Sequence, residues 1–221
     1  MSGKSVEGAT SVRQNTRDRV YDLIHDGILH GVYPSGSFIE EERICALANV
    51  SRTPVREAFH RLAAERFIDL LPRRGAMVRH VTSRELTEVY ETRRLIEGHA
   101  VAFLCRRRMS APVQMARLCD EMEQATTDLV RSVELNRLFH RELIAATENQ
   151  VMLDLFDSLH SRIIRVALSA LRADPDRTTL IYAEHRGLVE ALDSNDEVLA
   201  MGLLSAHLQP QSQVMAQLAR L

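Results

Sequence analysis

The chain has 221 residues and a formal net charge of −2, and 45% of its residues are hydrophobic. This length allows one large domain or two small ones, with enough apolar surface for a buried core. No run approaches eighteen apolar residues and the first residues lack a signal-peptide profile, which excludes a membrane protein and indicates a cytosolic one. Cys45, Cys105 and Cys119 have no paired spacing, which argues against a disulfide framework or a cysteine metal site.

The first predicted elements are a tail and two helices. Residues 1–13 are small and polar, and we expect them to be disordered. An amphipathic helix is predicted over 17–30. A turn at 33–36 separates it from a second, short helix over 40–48. A tight turn at 49–50 then leads into a third helix.

The heptapeptide at 51–57 has the composition of a helix N-terminus that contacts DNA. Ser51 is a suitable N-cap, and Pro54 falls in the first turn, where a missing N–H has no cost. The N-terminus of a helix offers unpaired N–H groups and partial positive charge to phosphate. Apolar residues recur behind it at three- and four-residue spacing, so one face is buried. The predicted DNA contacts on the opposite face are Arg52, Thr53 and Arg56.

A basic hairpin follows this helix. Strands are predicted at 68–71 and 76–79, joined by a turn in which Gly75 tolerates positive φ. Arg73 and Arg74 are expected to reach DNA from this turn, together with the backbone at Gly75. Between residues 51 and 80 the chain carries seven arginines and three acidic residues, a local balance of +4 that suits phosphate.

These elements predict a winged helix-turn-helix domain over 14–81 that binds double-stranded DNA. One such module reads only a short half-site. We therefore expect a homodimer that binds a palindromic operator.

Residues 82–221 show helical periodicity throughout and no alternating strand pattern. Six helices are predicted from their start signals. The first helix starts at the Thr82–Glu85 capping box, the second at Ser110 and the third near Arg131. The fourth starts at Asn149 and reaches about Leu171, the fifth starts at Asp174-Pro175, and the sixth at the Ser194–Glu197 capping box. The predicted fold is mainly α, an N-terminal winged helix-turn-helix followed by an all-α six-helix bundle.

Three histidines fall on three different predicted helices of this bundle, at His140, His185 and His207. Asn136 precedes His140 by four residues and faces the same side of its helix. Three converging imidazoles suit Zn²⁺ or a similar ion, but spacing alone leaves hydrogen-bonded core histidines as an alternative. Three histidines with an open position are also a catalytic arrangement, so a metal-dependent hydrolase is the alternative function.

Segments in both halves resemble one known family. Residues 17–81 resemble the DNA-binding domain of GntR-type bacterial transcription regulators through 28–31, 34–37, 51–57 and 72–75. Residues 82–221 resemble the FCD effector-binding domain of the FadR subfamily, in its shorter VanR-like branch, through 90–97, 136–140, 148–149, 184–186 and 206–208. The resemblance implies a cytoplasmic repressor, not an enzyme, whose helical domain carries the dimer interface.

The resemblance also implies a divalent metal and a small organic acid effector. Family members bind the metal through three histidines, matched by His140, His185 and His207, and an aspartate, whose place is taken here by Asn136. The metal expected is zinc, with nickel or manganese as alternatives. Because an amide oxygen is a weaker, neutral ligand, we expect lower metal affinity and stronger attraction for an anion. A metal-free pocket in which these side chains bind the effector directly is the alternative.

Arg93 is the predicted effector-binding residue, since the resemblance places its helix along the effector cavity. A guanidinium there binds a carboxylate through two hydrogen bonds. The alternative is a solvated arginine or an intrahelical pair with Glu97.

Overall fold

The computed structural model describes residues 15–72, 74–125 and 127–220, so the tail predicted at 1–13 and Arg73 lie outside the described residues. The first part of the described chain contains helices and a small antiparallel sheet with strand order β1-β3-β2. Its elements are α1 Thr16–Leu29, β1 Phe38–Ile39, α2 Glu41–Ala48, α3 Arg52–Ala64, β2 Ile68–Leu71 and β3 Gly75–Val78.

The helix α3 buries the apolar face predicted from its periodicity, including Val55, Phe59 and Leu62, against α1 and β2. Ser51 is its N-cap in extended conformation, although its side chain makes no capping hydrogen bond. Arg66 follows the helix with a φ of 65°, the left-handed conformation that ends a helix more commonly at glycine. Because the apolar face of α3 is buried, the opposite face, which carries the arginines, is exposed.

The wing is formed by β2 and β3, with Leu71 opposite Gly75. The two-residue strand β1 pairs with the other edge of β3 and was too short to be predicted from an alternating pattern. Gly75 has a φ of +86°, and a Cβ added there would lie 2.5 Å from the Ile39 carbonyl oxygen. The glycine is therefore required by the fold of the wing itself.

The rest of the chain is helical, as predicted. The long helix α4 packs against α6, α8, α10 and α11. The helices are α4 Ser83–Arg106, α5 Val113–Gln124, α6 Leu129–Ala145, α7 Gln150–Ser158, α8 His160–Ala173, α9 Arg177–Asp193, α10 Glu197–His207 and α11 Ser212–Leu218.

The predicted number of six helices in this part is wrong, because the described residues after Val78 form eight. The helix expected from Asn149 to Leu171 is divided at Leu159 into α7 and α8. The division lets Phe156 join the core of the helical domain while Ile164 on α8 joins the core of the winged helix. The short α11 was missed, and it buries Val214 and Leu218 in the main core.

Two predicted helix caps also differ from the structure. Ser110 does not cap α5, whose N-cap is Pro112. Ser194 is the C-cap of α9, because the next residue, Asn195, adopts a left-handed φ of 56°. The N-cap of α10 is Asp196, whose side chain accepts a hydrogen bond from the Leu199 N–H at 2.9 Å. The cap at Thr82 is confirmed, since its hydroxyl accepts from the Glu85 N–H at 3.1 Å.

The two halves of the chain share one apolar cluster through α8. Ile164, Leu168 and Leu171 on α8 pack within the core of the winged helix. Two arginines reinforce this contact. Arg165 donates through Nη2 to the His80 carbonyl oxygen at 3.4 Å, and Arg172 donates to the Leu29 carbonyl oxygen at the end of α1. Within the described ranges, no helix combines the length and apolarity needed to cross a membrane.

Candidate DNA interface and histidine cluster

A groove of about 910 Å³ lies between the N-terminal end of α3 and the wing. Arg52 and Arg56 line one side, one helical turn apart, and Arg74 and Gly75 line the wing side. Thr53 is exposed at the same end of α3. The structure therefore brings the predicted DNA contacts to one surface, apart from Arg73, which lies outside the described residues.

Two acidic residues of α2 face these arginines and were not predicted as part of the site. Glu41 Oε2 accepts a hydrogen bond from Arg56 Nε at 2.8 Å, and Glu42 Oε1 accepts one from Arg52 Nη2 at 2.6 Å. The predicted helix-turn-helix already placed α2 beside α3. Nothing in the sequence indicates which acidic side chain meets which arginine.

The three histidines of the helical domain converge from α6, α9 and α10. His140 Nε2 lies 3.1 Å from His207 Nε2 and 3.2 Å from His185 Nε2. One ligand atom from each ring lies within 4.8 Å of the other two, and among the described residues this is the group of His, Cys, Asp and Glu side chains that could hold a metal ion.

Burial keeps these imidazoles uncharged at neutral pH. It lowers the pKa of His140 and His185 well below the usual histidine value, and the Arg93 cation lowers the pKa of His140 further. Burial also lowers the pKa of His207, although the hydrogen bond to Glu184 opposes this. Neutral imidazole carries the lone pair that a metal requires, so all three rings are in the ligand form.

Carboxylates stand behind two of the rings. His207 Nδ1 lies 2.9 Å from Glu184 Oε2, and Glu184 pairs in turn with Arg177 at 2.7 Å. His140 Nδ1 lies 2.7 Å from Glu97 Oε2, although the two atoms are not aligned as a regular hydrogen bond. Such outer carboxylates fix the orientation of metal-binding histidines. Sequence reasoning missed both roles, because each carboxylate meets a histidine on another helix.

Arg93 is not a solvated arginine. It forms the intrahelical pair with Glu97 that was the other alternative, with an Nε–Oε1 distance of 2.7 Å. This pair is buried, because the two side chains are only 5% and 0% exposed. Burial raises the pKa of Glu97, while Arg93 opposes that shift. Arg93 Nη2 is buried and has no hydrogen-bond partner among the described residues. An unpaired buried N–H donor is costly, which makes it a candidate contact for a bound anion.

Arg93, Asn136 and His207 line one small cavity, which encloses about 40 Å³. The other polar residues of its wall are Tyr90, Arg177, Gln209 and Gln211. The wall of the cavity therefore offers two arginines, three side-chain amides, a hydroxyl and one of the clustered imidazoles. This chemistry suits a small anion with further polar groups.

Comparison with known proteins gives matches in both halves of the chain. The family described as bacterial regulatory proteins, gntR family, matches residues 16–78. The FCD domain family matches residues 88–210, which is more than half of the chain. The two matches cover the winged helix and the helical domain with its histidine cluster.

Among similar proteins, the Nta operon transcriptional regulator of Aminobacter aminovorans is 27% identical over 79% of this chain and 82% of its own length. The gluconate operon transcriptional repressor of Bacillus subtilis is 28% identical, covering 85% and 79% of the two chains. The HTH-type transcriptional repressor RspR of Escherichia coli is 25% identical, covering 97% and 95%. These relatives are regulators, so the hydrolase alternative is not retained.

Solved structures agree on the fold. A transcriptional regulator GntR from Rhodococcus sp. RHA1 superposes with a TM-score of 0.71 at 24% identity, covering 91% of this chain and 96% of the other. Escherichia coli McbR/YncC gives a TM-score of 0.66 at 20% identity, covering 94% and 98%. With both halves matched, the chain belongs to the GntR family of bacterial regulatory proteins and is a DNA-binding transcription regulator with an FCD domain.

Proposed function

We propose that this regulator is a repressor whose affinity for operator DNA is controlled by a small organic acid, bound beside a divalent metal in the helical domain. The observation that carries the proposal is the convergence of three neutral imidazoles, one of which, His207, lines a cavity together with Arg93, whose buried Nη2 has no partner among the described residues. The metal would be held by His140, His185 and His207, and the acid by Arg93.

The ring geometry supports a metal. Zinc–nitrogen bonds of about 2.0–2.1 Å in a tetrahedral site separate two nitrogens by roughly 3.3 Å. The distances of 3.1 and 3.2 Å from His140 to the other two rings are close to this value. Zinc is our first assignment, with nickel and manganese as alternatives.

The charge of the site favours an anionic effector. Arg93 is balanced by Glu97 and Arg177 by Glu184, so the residues around the rings sum to about zero. A bound divalent ion would add its full +2 charge, because Asn136 is neutral where a carboxylate would have cancelled one unit. Asn136 is thus a weak ligand or orients a water, and an acid supplies the missing negative charge.

The size of the cavity supports a coupled movement. It encloses about 40 Å³, whereas one water needs roughly 10–15 Å³ on the same measure. A cavity of this size has room for only a few waters, so an organic acid would have to displace its walls. A ligand that fits one arrangement of the walls better than another shifts the protein toward that arrangement.

The wall most directly connected to DNA binding is α8. Ala167, Ala170 and Leu171 line the cavity, and Leu171 also belongs to the core of the winged helix. In a dimer, a displacement of α8 by the effector would therefore move the winged helices of the two subunits relative to each other and weaken operator binding. The relative from Bacillus subtilis is named for a gluconate operon, and gluconate is a hydroxy acid of the proposed kind.

The metal prediction concerns His185 and Asn136. Protein purified without chelator is expected to hold up to one divalent ion per chain, measured by plasma mass spectrometry. His185→Ala should lose it, because two imidazoles and an amide bind weakly. Asn136→Asp should bind the metal about 10- to 100-fold more tightly, because a charged ligand replaces a neutral one.

His99→Ala is the matched control, since His99 is an exposed histidine on α4 outside the cluster, and it should leave the metal content unchanged. Gluconate and related hydroxy acids are then titrated by calorimetry before and after exhaustive chelation. Equal affinity for the acid in both states would exclude the metal from effector binding. Metal content unaffected by His185→Ala would exclude the site.

A homodimer is also part of the proposal. Leu95 on α4 and Val198 on α10 are 78% and 85% exposed, and these two helices pack against each other. Large apolar side chains so exposed suit a protein interface. We expect light scattering to give a dimer at micromolar concentration, and Leu95→Glu with Val198→Glu to weaken it. Val151→Glu, a change at an exposed valine on α7, should not. A monomer with and without DNA would contradict the proposal.

A further inference from the structure

We propose that Glu41 is a positioning residue for Arg56 on the DNA-reading surface, and that the adjacent Glu42 opposes DNA binding by occupying Arg52. This inference rests on the proposed contacts of Arg52 and Arg56 with DNA. It assigns opposite roles to two neighbouring residues of the same type.

The geometry differs sharply between the two carboxylates. Glu41 begins α2 and its side chain is only 20% exposed, whereas that of Glu42 is 80% exposed. Glu41 reaches both arginines, with Oε2 at 2.8 Å from Arg56 Nε and Oε1 at 3.6 Å from Arg52 Nε. Glu42 reaches only Arg52, through the terminal nitrogen Nη2 at 2.6 Å.

The contact with Glu41 leaves the reading end of Arg56 free. A guanidinium recognises guanine by donating two hydrogen bonds to its O6 and N7. Arg56 uses Nε for Glu41, and no hydrogen bond from its Nη nitrogens is found among the described residues. Glu41 therefore restrains the Arg56 side chain through Nε and does not use its two terminal nitrogens, which reduces the rotamer freedom lost when DNA binds.

The contact with Glu42 has the reverse effect on Arg52. It takes one of the terminal nitrogens that a base or phosphate would need, so DNA must displace the carboxylate. An exposed ion pair of this kind is weak and the displacement is easy. The freed carboxylate nevertheless stays close to the phosphate backbone and repels it.

Glu41→Gln and Glu42→Gln form a matched pair. Each removes one negative charge from the first turn of the same helix, so each loses the same small helix-dipole contribution and gains some general attraction for DNA, which is larger for the more exposed Glu42. The full-length protein would be titrated, at one fixed salt concentration, into a labelled duplex of the intergenic DNA upstream of its own gene and into a scrambled duplex of equal length.

We expect Glu42→Gln to bind both duplexes about two- to fivefold more tightly, because a repulsive charge is lost. Glu41→Gln should bind the scrambled duplex slightly more tightly but the upstream duplex about five- to tenfold more weakly. The ratio of the two affinities is the decisive quantity, since a structural defect would lower both. Circular dichroism on heating checks that both variants are folded.

Replacing each guanine of the upstream duplex in turn by 7-deazaguanine removes one N7 acceptor at a time. At the position read by Arg56, the loss of affinity should be smaller in Glu41→Gln than in the unmodified protein, because the two changes affect one contact. Additive losses at every position, or equal behaviour of the two glutamine variants, would overturn the role of Glu41. If Arg56→Ala itself leaves specific affinity unchanged, the proposed arginine contact fails and the role of Glu41 fails with it.

Discussion

Replacing Arg93 with alanine is expected to lower the free energy of unfolding by about 3–5 kcal/mol, because it leaves the carboxylate of Glu97 buried without its partner. Glu97 is 0% exposed, and Arg93 Nε is its hydrogen-bond donor at 2.7 Å. Urea unfolding followed by circular dichroism, with chelator present so that metal binding does not contribute, measures the change in the midpoint.

This loss should depend on pH. Burial raises the pKa of Glu97 even with Arg93 present. Between the ordinary carboxyl pKa and that raised value the folded state binds more protons than the unfolded state, so stability falls as pH rises. Without Arg93 the pKa of Glu97 rises further and the window extends upward. Arg93→Ala should therefore lose more stability between pH 5 and pH 8 than the unmodified protein does.

The control for this prediction removes both charges. Arg93→Met combined with Glu97→Gln leaves no unpaired ion and should recover much of the loss, as buried ion pairs often can be replaced at little cost. If Arg93→Ala alone is destabilised by less than about 1 kcal/mol at pH 8, Glu97 is protonated or hydrated there and the pair is not the stabilising contact described.

The second large effect concerns DNA. We expect Arg52→Ala combined with Arg56→Ala to lower affinity for the specific operator by at least about 30-fold. Each base-reading arginine contributes roughly 1–3 kcal/mol to specific binding. Each phosphate contact that is lost also removes the favourable release of a counterion from the DNA. The sequence preference should also weaken, because affinity for unrelated duplex DNA falls less. Fluorescence anisotropy at two salt concentrations measures both quantities.

Arg84→Ala combined with Arg131→Ala is the matched control, since both arginines are exposed on the helical domain and the change in net charge is the same. Its affinity for the operator should change by no more than a few-fold. An equal loss in the two double variants would mean that only the total charge matters, and would refute the proposed reading role of α3.

The sequence predicted the DNA-binding half closely because its signals are local. The capping position of Ser51, the apolar spacing behind it and the positive φ of Gly75 each depend on a few neighbouring residues. Errors occurred where a tertiary contact decided the local structure. The division at Leu159 follows from α8 turning toward the winged helix, and the missed strand β1 exists only because β3 offers it an edge.

By itself, the sequence determined the winged helix-turn-helix and placed three histidines on separate helices, because residue spacing within one helix or hairpin fixes which side chains share a face. Only the tertiary structure decided which side chains meet. His140 and His207 are 67 positions apart, and Glu41 and Arg56 are 15 apart. Their encounter depends on how whole helices pack, and periodicity along one helix carries no information about the rotation of its neighbour.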